Sequence, residues 1–260
     1  MNLTLKVLIK ALAFSTAIFI YILTTLPFLL TVYIFPHWTR RILTKIVSFY
    51  CIICLKVLQT KIIIKGEMPQ KKEGLYVVSN HMGFIDIMAI SAVIPVSFVT
   101  SKEMQYTPLL GQVCALGGCV FVNRKNKNNM HNEIKMISKV LENKTNIMVF
   151  PEAKSTNGDS VILFRRGLFS APVKAKAKIL PLTVNYISFS GGPVTKRNRD
   201  TVFWYDDLNF FSVFLKKCAQ SEIVLEITIH PVLQNYSEDI TEVANECHRI
   251  VSSAYRGISE

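Results

Sequence analysis

A histidine and an aspartate stand five positions apart in the stretch SNHMGFID, residues 79–86. Apolar runs flank this stretch on both sides, so it lies where a strand gives way to a helix. A helix turns by about 100° per residue, so His81 can meet Asp86 only if it folds back from the loop. The carboxylate would then hold one imidazole nitrogen and leave the other free, as a general base requires. Taken alone, the spacing is also compatible with a purely structural role in capping the helix.

The elements that must position this pair are short. After residue 65, β-rich runs alternate with helix-forming runs, which predicts an α/β domain with a mostly parallel central sheet flanked by helices. The predicted strands are residues 75–79, 96–101, 118–123, 146–150, 178–186, 201–205 and 222–233. The predicted helices are residues 86–94, 105–116, 130–142, 165–176 and 238–256. Asn80 and His81 would lie at the carboxyl end of a strand, where such sheets bind ligands.

The beginning of the chain is apolar. Residues 11–35 include no charged side chain, and at about 1.5 Å per residue they exceed the roughly 30 Å of bilayer hydrocarbon. A second apolar segment covers residues 42–58, and Pro27 would kink the first. Two arrangements fit: one true span, or a kinked helical hairpin that enters a single leaflet. We predict a membrane-anchoring helical segment at residues 1–65 and the α/β domain at residues 66–260.

The composition agrees with a membrane protein. Half of the residues are hydrophobic and only 18% are charged, against about 25% in an ordinary soluble domain. The net charge of +12 suits anionic membrane lipids, acidic carrier proteins or phosphorylated substrates. The basic residues are scattered, without the clustered basic helix or aromatic platform that binds nucleic acid, so we predict no nucleic-acid partner.

The cysteines indicate no metal or redox site. Cys51 and Cys54 form a C-x-x-C inside the apolar run FYCIICLKVL, whereas zinc and redox pairs normally occupy polar turns. We interpret them as small apolar residues. Because no cluster has metal-ligand spacing and no Walker, Rossmann or G-x-S-x-G pattern occurs, we predict neither a metal nor a bound cofactor.

Three further stretches follow NHMGFID in order: GGCVFVNR (117–124), FPEAKSTNG (150–158) and KILPLTV (178–184). Together the four resemble the conserved blocks of the PlsC-like glycerolipid acyltransferases, the 1-acylglycerol-3-phosphate acyltransferase family. The resemblance covers about residues 60–190, and the apolar N-terminal segment also suits that family. It implies a glycerol-3-phosphate acyltransferase-like α/β fold and makes residues 66–260 the catalytic acyltransferase domain.

The resemblance also implies roles for individual residues. His81 would take the proton from a lysolipid hydroxyl, Asp86 would orient it, and the hydroxyl would attack an acyl thioester with no covalent acyl-enzyme. Arg124 matches the basic residue that the family assigns to the phosphate of the acceptor. Glu152 matches a substrate-binding glutamate, and Pro181 marks the fourth block.

The third block departs from the common F-P-E-G-T-R-S. Ala153 replaces the glycine, and Lys154 and Ser155 stand where threonine and arginine are usual. Loss of that arginine removes a planar, bidentate phosphate ligand. Lys154, Arg165 and Arg166 are the candidate replacements for its positive charge. The departure leaves the head group of the acceptor open.

The function that the resemblance implies is a membrane-bound O-acyltransferase of the 1-acylglycerol-3-phosphate type, which forms phosphatidic acid. The donor would be acyl-CoA or an acyl carrier protein thioester, and the catalytic domain would face the cytoplasm, at the inner membrane if the protein is bacterial. Two alternatives remain: the same chemistry on a different lyso-lipid, or a catalytically inactive lipid-binding membrane protein. The altered third block motivates the inactive alternative, and the intact His81 and Asp86 count against it.

Overall fold

A seven-stranded sheet forms the centre of the molecule in the computed structural model, which describes residues 2–70, 73–123 and 130–258. The strand order is β1-β7-β6-β2-β5-β3-β4, and all neighbours are parallel except β6 and β7. The strands are β1 (Thr60–Lys65), β2 (Tyr76–Ser79), β3 (Ser97–Ser101), β4 (Val120–Val122), β5 (Ile147–Val149), β6 (Ile179–Phe189) and β7 (Ile223–Ile229). The predicted fold class is confirmed.

Helices cover both faces of this sheet. The helices in the described ranges are α1 (Leu3–Thr25), α2 (Phe28–Ile34), α3 (Pro36–Val57), α4 (Phe84–Val93), α5 (Lys102–Gln105), α6 (Leu110–Leu116), α7 (Met130–Glu142), α8 (Ser170–Ala175), α9 (Arg199–Val202), α10 (Phe210–Ala219) and α11 (Ile240–Ser253). Helices α1, α3, α4 and α10 contribute to the core on one face, and α7, α8 and α11 to the core on the other.

The central strands are short apolar runs because they are buried on both faces. On β2, Val77 packs into one core while Tyr76 and Val78 pack into the other. A strand covered on both sides needs apolar residues at every position and not only at alternate ones. This pattern explains why the run that precedes His81 is apolar throughout.

The N-terminal helices form a bent unit that packs against the core to which α4 and α10 also contribute. Helix α1 ends at Thr25, just before Pro27, which agrees with the predicted kink. Their inner side reaches the sheet core, where Ala17, Leu55 and Leu58 are buried. Most of the large apolar side chains that the described residues expose lie on α1, α2 and α3. Among the described residues, α1 is the single helix long and apolar enough to cross a membrane.

Strand β1 lies within the segment that we assigned to the membrane anchor. It pairs in parallel with β7 along its whole length and forms one edge of the sheet. Its sequence, TKIIIK, continues the apolar run of α3 and therefore gave no separate strand signal.

The predicted strand at 201–205 is wrong. Residues 199–202 form α9, and the next residues extend without pairing in the sheet. Val202 and Phe203 are fully buried, and the Trp204 N–H donates to the Met82 carbonyl at 2.9 Å. The apolar run reflects burial against the loop of the first block and not membership of a strand.

Two predicted helices are interrupted, and one helix was not predicted. The predicted helix at 105–116 is divided into α5 and α6, since Pro108 intervenes and Leu109 has φ +66°. The predicted helix at 165–176 begins as a 3₁₀ turn, Arg166–Phe169, before α8. Helix α10 did not appear among the predicted elements.

Candidate active site

The sheet brings three of the four sequence blocks to one edge. Strands β2 and β5 are adjacent and parallel, so the residues that follow Ser79 and Val149 meet at the carboxyl edge. On the other side of β2, Ser79 is paired with Leu182 of β6. Strand β6 therefore continues past the end of β2 and flanks the loop that carries His81.

His81 and Asp86 meet by the fold-back that their spacing requires. The His81 Nδ1 lies 3.1 Å from the Asp86 Oδ2, and Asp86 is completely buried. The same oxygen accepts the peptide N–H groups of Met82 at 2.5 Å and Gly83 at 2.9 Å, at the beginning of α4. Asp86 thus caps the helix and holds the histidine, so both roles considered for the pair occur together.

The imidazole of His81 is held by contacts on its ring and on its backbone. Its ring stacks on Phe150 with 3.9 Å between centroids and 11° between planes. Its carbonyl accepts the backbone N–H of Thr156 at 2.8 Å. Because Nδ1–H donates to Asp86, Nε2 carries the lone pair, and no described residue hydrogen-bonds to it. With the side chain 15% exposed, Nε2 can accept a proton from a substrate.

The loop between β2 and α4 is braced by residues distant in sequence. The Asn80 side chain donates to the Val184 carbonyl and accepts the Val184 N–H, both at 2.9 Å. On the other side, the loop passes close to Trp204: a Cβ at Gly83 would lie 3.0 Å from the Trp204 backbone nitrogen, so a larger residue would have to displace that backbone slightly. Sequence analysis identified Asn80 as part of the block but not its role in joining the loop to β6.

Glu152 is buried beside the pair. It is 1% exposed, and neither carboxyl oxygen has a hydrogen-bond partner in the described part of the chain. Burial, reinforced by the negative charge of Asp86, raises the pKa of Glu152 to about 9, so the carboxyl is neutral at pH 7. The following residue, Ala153, has φ +62°, a left-handed conformation that the usual glycine adopts without strain.

The predicted phosphate-binding residues are placed unequally. Arg124 lies outside the described residues. Lys154 follows the Glu152 turn with its side chain 62% exposed, and its Nζ lies 3.9 Å from a carboxylate oxygen of Asp206. Lys154 is therefore close to the site and accessible to an anionic ligand.

The two arginines of FRRG point to different surroundings. Both side chains are exposed. The backbone N–H of Arg165 donates to the Pro151 carbonyl at 2.9 Å, which places Arg165 next to the third block. The guanidinium of Arg166 instead donates to the Thr241 hydroxyl of α11 at 3.0 Å. The structure thus brings Arg165 to the edge of the site and directs Arg166 towards α11.

The described residues include no group of three His, Cys, Asp or Glu side chains arranged for a metal ion. Cys51 and Cys54 lie on α3, where Cys54 is buried in the core and Cys51 packs against it. Their surroundings agree with the interpretation as apolar residues.

An apolar cavity of about 220 Å³ lies between the N-terminal helices and the α/β domain. Its wall includes Phe84, the first residue of α4, and Phe98 of β3. The Phe98 ring stacks on Phe150 at 6.1 Å between centroids, and Phe150 stacks on His81. The cavity therefore borders the aromatic stack that ends at the histidine.

Lys217 is a fully buried lysine behind this site. Its Nζ donates to the Val202 carbonyl and lies 5.2 Å from the centre of the Phe84 ring. Burial lowers the pKa of Lys217 to about 7, although the negative charge of Asp86 acts in the opposite direction. In the sequence FLKKCA, this lysine is indistinguishable from a surface residue.

Replacing Lys217 by methionine should change how stability depends on pH. The pKa of Lys217 is about 7 in the folded protein, below its usual value of 10.5, so between these pH values the unfolded wild-type chain binds one more proton than the folded chain. Wild-type stability should therefore rise with pH relative to Lys217→Met, by up to about 1.4 kcal/mol per unit. Chemical unfolding at several pH values measures this difference. Lys216→Met, at an exposed position on the same helix, is the control, and parallel pH curves for wild type and Lys217→Met would contradict the assignment.

The chain is similar in sequence to known acyltransferases. Residues 61–185 match the sequence model of the family described as Acyltransferase. A lyso-ornithine lipid O-acyltransferase of Rhodobacter capsulatus is 30% identical over 207 residues, which are 75% of this chain and 68% of that protein. A 1-acyl-sn-glycerol-3-phosphate acyltransferase of Neisseria gonorrhoeae is 32% identical over 123 residues, 47% of this chain and 48% of that protein. The match spans about half the length of that relative.

A solved structure shares the fold. The crystal structure of the 1-acyl-sn-glycerophosphate acyltransferase PlsC from Thermotoga maritima superposes with a TM-score of 0.67 and 16% sequence identity. The superposition covers 98% of this chain and 96% of that one. The fold and the site define an α/β protein with a histidine–aspartate pair at the carboxyl edge of its sheet. The chain belongs to the PlsC-like acyltransferase family.

Proposed function

We propose that the protein is a membrane-bound O-acyltransferase that moves an acyl chain from a thioester to the free hydroxyl of a lysophospholipid. The proposed acceptor is 1-acyl-sn-glycerol 3-phosphate, and the product is phosphatidic acid. The observation that carries the proposal is the His81 imidazole, which has Nδ1 bonded to the buried Asp86 and Nε2 without a partner among the described residues.

In the proposed reaction, Nε2 of His81 takes the proton of the acceptor hydroxyl while its oxygen attacks the thioester carbonyl. The imidazolium that forms is stabilised by the Asp86 carboxylate at 3.1 Å. When the tetrahedral intermediate collapses, the carbon–sulfur bond breaks, and the proton on Nε2 of His81 is transferred to the departing thiolate. The ester and the free thiol are formed with no covalent acyl-enzyme and no cofactor other than the thioester co-substrate.

The surroundings of the site suit lipid substrates. The apolar cavity beside Phe84 and Phe98 can bury an acyl chain next to the reacting histidine. The apolar outer side of the N-terminal helices supports membrane association, with the catalytic domain proposed to face the cytoplasm. The net charge of +12 attracts anionic membrane lipids and both proposed donors, acyl-CoA and acylated carrier protein.

The basic residues would bind the phosphate of the acceptor. Lys154 and Arg165 lie at the third block, and the family resemblance adds Arg124. Glu152 would contact the acceptor as a neutral acid, because its carboxyl is uncharged at pH 7. Arg166 was predicted as a further ligand, and its bond to Thr241 would have to break before it could serve.

A lyso-ornithine lipid is a second candidate acceptor. The lyso-ornithine lipid O-acyltransferase of Rhodobacter capsulatus aligns over 75% of this chain, and an enzyme of the same name from Rhizobium meliloti, 22% identical, aligns over 86% of it. The Neisseria relative aligns over 47%. In addition, Ser155 stands where the common motif of the third block has arginine, and the nearest basic residue is the preceding Lys154. A site without that bidentate ligand has less selectivity for a phosphate monoester.

An acceptor panel tests these proposals. The purified protein in detergent micelles receives labelled palmitoyl-CoA or palmitoyl carrier protein with 1-acyl-sn-glycerol 3-phosphate, lysophosphatidylethanolamine or lyso-ornithine lipid. We expect labelled phosphatidic acid to form faster than the other products. Labelled ornithine lipid as the main product would support the second candidate. Binding of lysolipids without transfer to any acceptor would support the inactive lipid-binding alternative.

A further inference from the structure

The two oxygens of the Asp86 carboxylate are held by different parts of the molecule. Oδ2 accepts from His81, Met82 and Gly83, all in the local loop. Oδ1 accepts the hydroxyl of Tyr186 at 2.7 Å, and the described structure shows no other hydrogen bond to it. Tyr186 therefore holds Oδ1, the carboxylate oxygen that the loop of His81 does not contact.

The position of Tyr186 on β6 places its hydroxyl next to Oδ1 of Asp86. β6 continues beyond the end of β2, and its pairing with β7 shifts register between Tyr186 and Ser188. Tyr186 lies before that shift, in register with Leu225, and by the regular alternation of the strand it faces the same core as Leu182 and Val184, the core to which α4 also contributes. The Tyr186 ring packs edge-on against the buried Phe203, with 5.0 Å between centroids. The position of the hydroxyl is thus set by two elements distant in sequence from the loop.

We propose that Tyr186 is a positioning residue for the His81–Asp86 pair, a role that rests on the proposed acyl transfer. Its hydroxyl holds Oδ1 so that the carboxylate cannot rotate about its Cβ–Cγ bond, which keeps Oδ2 directed at Nδ1 of His81. Through the carboxylate, Tyr186 keeps Nε2 as the free, proton-accepting nitrogen. It does not itself contact the reacting atoms.

The hydroxyl is suited to this role because it stays protonated. Burial, together with the negative charge of Asp86, holds the pKa of Tyr186 well above its usual value, so it donates at every pH at which the enzyme can work. The other ionisable groups that face the carboxylate are His81, Glu152, Lys217 and Tyr255. None of these donates a hydrogen bond to Oδ1 in the described structure.

The tyrosine bond also spreads the negative charge of the carboxylate over a second partner. Without it, more of that charge is available to stabilise the imidazolium, so the base should remain protonated to a higher pH. We therefore expect two consequences of losing the hydroxyl: a lower kcat, because the pair is less well oriented, and an acid limb of the pH–rate profile that moves to higher pH.

The test compares Tyr186→Phe with Tyr76→Phe. Tyr76 is also a strand tyrosine; its hydroxyl donates to the Leu168 carbonyl at 3.1 Å, but it lies on the opposite face of the sheet. We expect Tyr186→Phe to lower kcat about tenfold or more with KM for acceptor and donor nearly unchanged, and to shift the acid limb upward. Tyr76→Phe should leave kcat and the profile as in the wild type. Equal kcat and superimposable profiles for Tyr186→Phe and wild type would overturn the proposal.

Two further measurements separate this proposal from the proposed reaction and from loss of folding. If the wild type transfers no acyl group, the reaction fails, but the bond can still be read from the Nδ1–H resonance of His81 in histidine-labelled protein. That resonance should move or broaden in Tyr186→Phe and persist in Tyr76→Phe; an unchanged resonance would overturn the proposal. In an active enzyme, Tyr186→Phe should add little to Asp86→Asn, whereas additive effects would show that Tyr186 acts independently of Asp86.

Discussion

Replacing His81 by alanine should reduce acyl transfer by about 10²–10⁴-fold, the usual contribution of a general base. The fold should persist, because Asp86 keeps the peptide N–H groups of Met82 and Gly83 and the hydroxyl of Tyr186. The lost contacts are the stacking on Phe150 and one hydrogen bond. The measurement is the initial rate with the preferred acceptor of the panel, together with the thermal unfolding midpoint of the same preparation.

His230→Ala is the matched control for that experiment. His230 is also partly buried and hydrogen-bonded, with its Nε2 2.8 Å from the Thr183 hydroxyl, but it lies outside the proposed site. We expect His230→Ala to retain the wild-type rate. If folded His81→Ala retained more than a few per cent of the wild-type rate, His81 could not be the base.

The sequence alone predicted the central strands and the His81–Asp86 pair, because both depend on residues that are close together in the chain. The apolar runs that became β2, β5 and β6 are buried on both faces, so composition alone identified them. His81 and Asp86 were identifiable because the fold-back that joins them takes place within one loop and the first turn of α4. The carboxyl-edge location then followed from the parallel sheet.

The partners that tertiary structure supplies could not be read from the sequence. Tyr186 and Asn80 act through contacts between the first block and β6, which exist only after β6 is placed beside β2. The burial of Lys217 could not be predicted for a different reason. Whether a lysine is buried depends on which face of its helix packs inward, and of the two adjacent lysines Lys216 is exposed and Lys217 is buried. The error at 201–205 has a similar origin, since apolar residues buried under a loop resemble a strand.

Glu152 illustrates how the structure changes a role inferred from resemblance. A substrate-binding glutamate would ordinarily act as an anion, but this carboxyl is buried without a hydrogen-bond partner among the described residues. Burial raises the pKa of Glu152 from its usual 4.5 to about 9 in the folded protein. A neutral carboxyl has nearly the shape of an amide, so Glu152→Gln should keep kcat within about fivefold of the wild type at pH 7. A folded Glu152→Gln variant with a loss of about a hundredfold or more would show that the charge is required.

The stability of Glu152→Gln should differ more from the wild type than its activity does. Folding raises the pKa of Glu152. Below pH 4.5 the carboxyl is protonated in both the folded and the unfolded chain, so it does not reduce stability. As pH rises from there towards about 9, the free energy of unfolding decreases progressively. Glutamine has no proton to take up, so at pH 7 the variant should be more stable by up to about 3 kcal/mol.

Glu226→Gln is the control with the opposite sign. Burial raises the pKa of Glu226, but hydrogen bonds from Lys65 and Arg256 outweigh burial and lower it overall, so that variant should lose stability near neutral pH. Unfolding free energies of the three proteins between about pH 5 and pH 9 decide the matter. The difference between Glu152→Gln and wild type must widen with pH, and a constant difference would mean that Glu152 is already ionised in the folded protein.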